Sequence, residues 1–365
     1  MNSNTATLHR NGVSLWLDNI TRGMLENGTL ESYIQEYSVT GLTSNPTIFD
    51  HAVAGTTEYD QAIHRKVSDG KSGETLFLEM AIEDLSRAAD LFKPIYQRTN
   101  GVDGWVSLEV SPLLAYDSSG TVRAARELFK QAGRPNLFIK IPGTPQGLPA
   151  IEESIYAGVP VNVTLLFSAE QYKAAAQAYL RGIERRIDDG LNPDVRSVAS
   201  LFVSRWDKAT MGAVPSRLQN RLGLAVSQRT YKAYREILAS ERMHRAMNYG
   251  AHPQRLLWAS TGTKDPNASD ILYIRALVAP LTINTMPEKT LQAFADHGEV
   301  DSCLTHGGGA EDEVIADFES AGFAYSQLAE KLQQDGARAF VKSWNDLLAT
   351  IDSRAGELQP SRKGA

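Results

Sequence analysis

The stretch NLFIKIPG, residues 136–143, decides how this chain folds. Leu137, Ile139 and Ile141 alternate with Phe138 and Lys140, the two-residue period of a β-strand. One face is wholly aliphatic, and the other is apolar except for one ammonium group. A charge in an apolar interior is costly, and a buried lysine relieves that cost by giving up its proton, which leaves a nucleophilic amine. Taken alone, an edge strand with Lys140 in water is the simpler reading. The remaining sequence supplies the context.

Seven further runs share this character: VSLWLDN from Val13, VTGLTSN from Val39, GWVSLEVSP from Gly104, PVNVTLLFS from Pro160, SVASLFVSRWD from Ser197, RLLWAST from Arg255 and LVAPLTINTMP from Leu277. Each is short, rich in β-branched, aliphatic or aromatic residues, and bounded by Gly, Pro, Asn or Asp. Helical patterns separate them. TVRAARELFKQAG from Thr121 carries Val122, Ala125, Leu128 and Phe129 and stops at a glycine; the run from Ser168 opens on a serine and also stops at a glycine. Residues 58–98 hold one or two more helices.

Strands alternating with helices imply parallel pairing through right-handed crossovers. Eight strands predict a closed (β/α)8 TIM barrel with additional helices; an open doubly wound sheet is the rival. The whole chain, 1–365, reads as one barrel domain with a helical insertion at about 208–248 and C-terminal helices at about 311–355. The tail GELQPSRKGA reads as frayed, and the GGG at 307–309 as a loop.

Strand parity separates the two faces. Ser14, Trp16 and Asp18 oppose Leu15 and Leu17. Trp105, Ser107, Glu109 and Ser111 oppose Val106, Leu108 and Val110. Asn162, Thr164 and Leu166 oppose Val161, Val163 and Leu165. In a barrel the aliphatic face meets the outer helices and the mixed face points inward. Asp18, Glu109, Lys140, Asn162 and Thr164 then converge from different strands, joined by Thr43 and Asn45. Asp18, Glu109 and Lys140 lie near the carboxyl ends of their strands, where barrel active sites are built.

The composition excludes several classes. With 42% hydrophobic residues and a net charge of −6, the chain is neither disordered nor a basic nucleic-acid binder. The single cysteine, Cys303, rules out an internal disulfide and suits a reducing compartment. No apolar run is long enough for a membrane helix and the N-terminus lacks a secretion signal, so a cytoplasmic location is expected. Seven histidines without a helical pair or a CxxC site offer no metal constellation, which disfavours a zinc-dependent aldolase.

The inward set supports Schiff-base chemistry. A desolvated amine captures a ketone, and the iminium then acts as an electron sink for carbon–carbon cleavage. Proton transfer is needed alongside: Glu109 and Thr164 suit a relay through water, and Asp18 suits a base on a substrate hydroxyl.

WLDN from Trp16, GLTSNPTIF from Gly41, SLEVSP from Ser107, IKIPGT from Ile139, NVTLLFS from Asn162, SLFVSRWD from Ser200 and ASTGTK from Ala259 together resemble the transaldolase family, in that family's order. The resemblance implies a cofactor-free class I aldolase-type barrel of the non-oxidative pentose phosphate pathway. Such enzymes move a dihydroxyacetone unit from a ketose phosphate, sedoheptulose 7-phosphate or fructose 6-phosphate, to an aldose phosphate, glyceraldehyde 3-phosphate or erythrose 4-phosphate. By motif matching, Lys140 is the Schiff-base lysine, Glu109 and Thr164 activate water, and Asp18 is the acid/base. Asn45 and Asn162 hold the dihydroxyacetone hydroxyls, with Thr43 beside them. Ser200 and Arg205 bind phosphate, and Phe202 lines the pocket. Lys264 stands where enteric-type members carry arginine, so it keeps the charge but loses the bidentate fork. The 208–248 excursion fits a longer bacterial and cyanobacterial-type subgroup. Two alternatives stand beside this reading: a simple class I aldolase such as a fructose-6-phosphate aldolase, and a non-catalytic sugar-phosphate binder. Monomer or homodimer is left open.

Overall fold

All eight predicted strands form, and they close on themselves. The computed structural model describes residues 1–305 and 307–358. Its strands are β1 (Val13–Leu17), β2 (Val39–Thr43), β3 (Trp105–Glu109), β4 (Leu137–Pro142), β5 (Val161–Leu166), β6 (Ser197–Phe202), β7 (Arg255–Ala259) and β8 (Thr282–Met286). They pair in sequence order, all parallel, and β8 pairs back onto β1. Closure excludes the open doubly wound sheet.

The parity reading holds for most strands. Leu15, Leu17, Val106, Leu108, Ile139 and Ile141 belong to the core between strands and helices. Trp16, Trp105, Phe138, Val198, Leu257 and Ile283 fill the barrel interior. Trp105 stacks on Phe138 with ring centroids 4.0 Å apart, and Trp16 lies 6.2 Å from Phe138. This aromatic layer is the floor beneath Lys140. Gly41 is required here, since a Cβ would lie 2.7 Å from both the Trp16 indole and the Trp105 carbonyl.

The alternation fails on β5. Leu165, expected on the outer face, belongs to the interior cluster, and Leu166 belongs to the outer core. Leu165 has φ 60°, the left-handed region that a leucine rarely adopts, and the pairing with β6 shifts register between Val163 and Leu166. This bulge reverses the facing of the strand immediately after Thr164.

The helices follow their capping signals. Ser118–Ala132 is capped by Asp117 accepting from the Gly120 amide, and Ala169–Asp188 by Ser168 accepting from the Gln171 amide. Gly133 and Gly190, at φ 57° and 69°, end them. Residues 58–98 contain two helices, Asp60–Ser68 and Gly73–Arg98. The 208–248 excursion contains Leu222–Leu238 and Glu241–Asn248. Asp207 anchors it, accepting from the Leu222 and Gly223 amides at 2.9 and 3.1 Å and from the Tyr273 hydroxyl at 2.8 Å. Residues 307–309 form the expected loop.

Beyond β8 lie Glu311–Ser320 and a long C-terminal helix, Tyr325–Leu358. This helix crosses the carboxyl-end mouth of the barrel. Gln333 bonds to the ends of β4 and β5, Phe340 lies over Lys140, Ser343 bonds to Thr47, and Arg354 pairs with Asp60. Of the tail expected to fray, residues 356–358 continue this helix, and 359–365 lie outside the described residues. Among the described residues no helix is long and apolar enough to cross a membrane.

Candidate active site

The barrel carries a cavity at each end, and their linings differ. The cavity at the amino ends of the strands, about 370 Å³, is walled mainly by apolar groups, including Val13, Trp105, Phe138 and Leu281. Its arginines are committed: Arg255 donates to the Val102 carbonyl, Ser14 and the Thr282 carbonyl, and Arg196 to Asp194 and the Asn100 carbonyl. The cavity at the carboxyl ends, about 420 Å³, is lined by Asp18, Lys140, Arg205, Lys208 and Lys264 among others. Nine of the eleven residues expected in the site line it: Asp18, Thr43, Asn45, Lys140, Thr164, Ser200, Phe202, Arg205 and Lys264. The other two, Glu109 and Asn162, are buried beside Lys140, on the residues directly opposite it across β3 and β5.

Lys140 is 5% exposed. Its Nζ donates to the Ser44 carbonyl at 3.2 Å and lies 3.5 Å from Glu109 Oε2. The face of Phe340 covers it at 5.8 Å. Ser44 is itself held by donating its hydroxyl to the Ser107 carbonyl. The amine is therefore aimed by a backbone oxygen, a carboxylate and an aromatic ring, and opens only toward the cavity.

Glu109 is buried and Asp18 partly so, and desolvation is the dominant influence on each. It pushes Asp18 above the ordinary carboxylate range, against the opposing pull of Lys140 and the Thr43 hydrogen bond. Glu109 is pushed up likewise; Lys140 pulls it down and the Asp18 charge adds to the rise. Asp18 Oδ1 accepts from Thr43 Oγ1 at 2.8 Å, and that hydroxyl lies 2.7 Å from Thr285 Oγ1. Glu109 Oε1 and Thr164 Oγ1 are both buried without a protein hydrogen-bond partner. Buried polar atoms are nearly always satisfied, so each of these oxygens calls for a partner that the protein does not supply, such as water or substrate.

Asn162 is committed within the protein, its amide donating to Ser107 Oγ at 3.1 Å and its oxygen accepting from Ser200 Oγ at 2.7 Å. Asn45 lines the cavity while its side-chain oxygen caps the helix Pro46–Gly55 by accepting from the Ile48 amide. At the outer end, Arg205, Lys208 and Lys264 form a cationic rim. Burial lowers Arg205 and Lys264, and the neighbouring Arg205 and Lys208 charges lower Lys264 further. Like charges gathered at a cavity mouth in this way favour an anion there.

Sequence reasoning missed Ser44, Thr285 and Phe340, and placed Lys208 near the phosphate end without giving it a role. Thr285 shares parity with the interior residue Ile283 and was readable in principle. Phe340 sits some 200 residues from Lys140 in sequence (a distance no local pattern bridges). Among the described residues no group of three or more His, Cys, Asp or Glu side chains could hold a metal ion.

The family model described as "Transaldolase/Fructose-6-phosphate aldolase" matches residues 15–351. A protein of Arthrobacter sp. (strain FB24) named "Transaldolase" is 40% identical, covering 100% of this chain and 100% of its own. One of Saccharopolyspora erythraea with the same name is 42% identical, with 96% and 97% covered. Another, of Thermobifida fusca, is 44% identical, with 93% and 95% covered.

Proposed function

From the premise that this chain belongs to the transaldolase/fructose-6-phosphate aldolase family, we propose that it is a transaldolase, transferring a dihydroxyacetone unit between sugar phosphates through a Schiff base on Lys140. One observation carries the reading: a buried lysine amine, held against Glu109 and the Ser44 carbonyl, faces a cavity rimmed by three cations.

The Lys140 amine adds to the C2 carbonyl of a ketose phosphate bound with its phosphate at Arg205, Lys208 and Lys264. Water leaves and an iminium forms. Asp18, pushed up in pKa by burial and so poised as a proton acceptor, takes the C4 hydroxyl proton. The C3–C4 bond breaks, the iminium absorbs its electron pair, and the shortened aldose phosphate departs. The enamine that stays behind attacks an incoming aldose phosphate by the reverse steps. Hydrolysis of the new iminium uses a water shared by Glu109 and Thr164 and regenerates the amine. Asn45, Asn162 and Thr43 orient the dihydroxyacetone end, and Ser200, which the resemblance assigned to the phosphate, instead holds Asn162 by donating to its side-chain oxygen. Phe202 and Phe340 keep bulk water from the enamine, which favours transfer over release.

Borohydride reduction in the presence of fructose 6-phosphate is expected to fix an adduct that peptide mapping places on Lys140. Adduct formation that persists in Lys140→Ala overturns the assignment.

A further inference from the structure

We infer that Gln333, on the C-terminal helix, is a positioning residue for Thr164. Its side chain is 7% exposed and makes two hydrogen bonds, from one nitrogen, to two strand ends. Nε2 donates to the Gly143 carbonyl at 3.0 Å and to the Leu165 carbonyl at 2.9 Å. Gly143 follows Lys140 by three residues, and Leu165 directly follows Thr164. The two strand ends are also joined to each other, since the Gly143 amide donates to the Thr164 carbonyl at 2.7 Å.

Leu165 is the residue that needs such a clamp. Its left-handed backbone is unfavourable for a side chain with a Cβ and persists only where its surroundings enforce it. The bulge also breaks the pairing with β6, so the β6 ladder does not satisfy the Leu165 carbonyl in the usual way. Gln333 supplies that missing donor. The same helix packs against the bulge at Gly336, where an added Cβ would come within 3.0 Å of Leu165 Cδ2. The backbone on the carboxyl side of Thr164 is thus fixed from outside the barrel, by an element almost 170 residues away. The Thr164 hydroxyl has no protein partner of its own, so its direction is set by this backbone.

The inference rests on the Schiff-base reading, in which Thr164 and Glu109 share the reacting water. Gln333→Met keeps length and apolar volume but removes both hydrogen bonds. It is expected to lower kcat by about tenfold or more with KM within about threefold, because small misplacement of a catalytic group is costly while substrate binding is unaffected. The decisive measurement is a double-mutant cycle. If Gln333 acts through Thr164, then Gln333→Met in a Thr164→Ala background costs less than about twofold. Equal losses in both backgrounds, or no loss in either, overturn the inference. Should Gln333→Met not accumulate as folded protein, Gln333→Asn, which sets the amide back by one methylene, takes its place in the same cycle. Wild-type enzyme that yields no Lys140 adduct defeats the Schiff-base reading itself; wild type that yields the adduct with additive losses defeats only the role of Gln333.

Discussion

Replacing Glu109 with Gln removes one negative charge and one proton carrier while leaving side-chain volume intact, so neither a void nor a clash complicates the result. The contact to Lys140, at 3.5 Å, is at the outer limit of a hydrogen bond, and the shorter one to the Ser44 carbonyl at 3.2 Å is untouched. The amine therefore stays aimed at the cavity. What is lost is acid/base assistance, worth about 10²–10⁴ in rate, or about 3–5 kcal/mol of barrier. Turnover, followed by a coupled assay of glyceraldehyde 3-phosphate formation, should fall by that factor, while borohydride still fixes an adduct on Lys140. The pH profile gives a second reading. Burial raises Glu109 above its ordinary value of 4.5, so the wild-type rate should decline on acidification at a pH above that value. That limb should move or vanish in Glu109→Gln. A near-wild-type rate, or an unchanged acid limb, refutes the assignment.

Three further outcomes are expected. Asp18→Asn should abolish most turnover yet raise the thermal midpoint at neutral pH. A carboxyl whose folded pKa is raised destabilises the fold once it ionises, so the gain should shrink as pH is lowered toward 3.8, below which the acid is protonated in both states. Calorimetry across that range checks the sign. Phe340→Ala should cost about 3 kcal/mol of stability and raise the proportion of free dihydroxyacetone released per transfer, because water gains access to the enamine. Product analysis with and without acceptor measures it. Lys264→Gln should raise KM for the sugar phosphate about tenfold with little change in kcat, as expected for one lost charge-assisted contact made in ground and transition states alike.

Much of this was legible in the sequence because alternation along a strand is a rigid geometric rule. Phe138 and Lys140 share a face, as do Trp16 and Asp18, and the interior core confirms the first residue of each pair. The rule fails where the backbone leaves the extended region. Leu165, at φ 60°, transfers itself inward and Leu166 outward, and no residue in VTLLF announces it. On β8 composition misleads: Thr282 and Asn284 look like the polar face, yet Asn284 is engaged by Thr261 and the inward residues are Ile283 and Thr285. Gln333 and Phe340 could not be foreseen at all. Their partners are fixed by where a helix lies across the barrel, which is a property of the closed fold and leaves no periodic trace.

The path of the C-terminal helix has a consequence for biosynthesis. The eighth strand ends at Met286, whereas the helix that supplies Gln333 and Phe340 extends to Leu358, more than seventy residues later. At ribosomal speeds of about 5–20 residues per second, a nascent chain spends several seconds with its strands translated and its catalytic mouth uncovered. Through that interval the Leu165 bulge lacks its clamp, and an enamine formed on Lys140 would meet solvent. On the Schiff-base reading, transfer competence then waits on the helix that reaches the mouth of the barrel last.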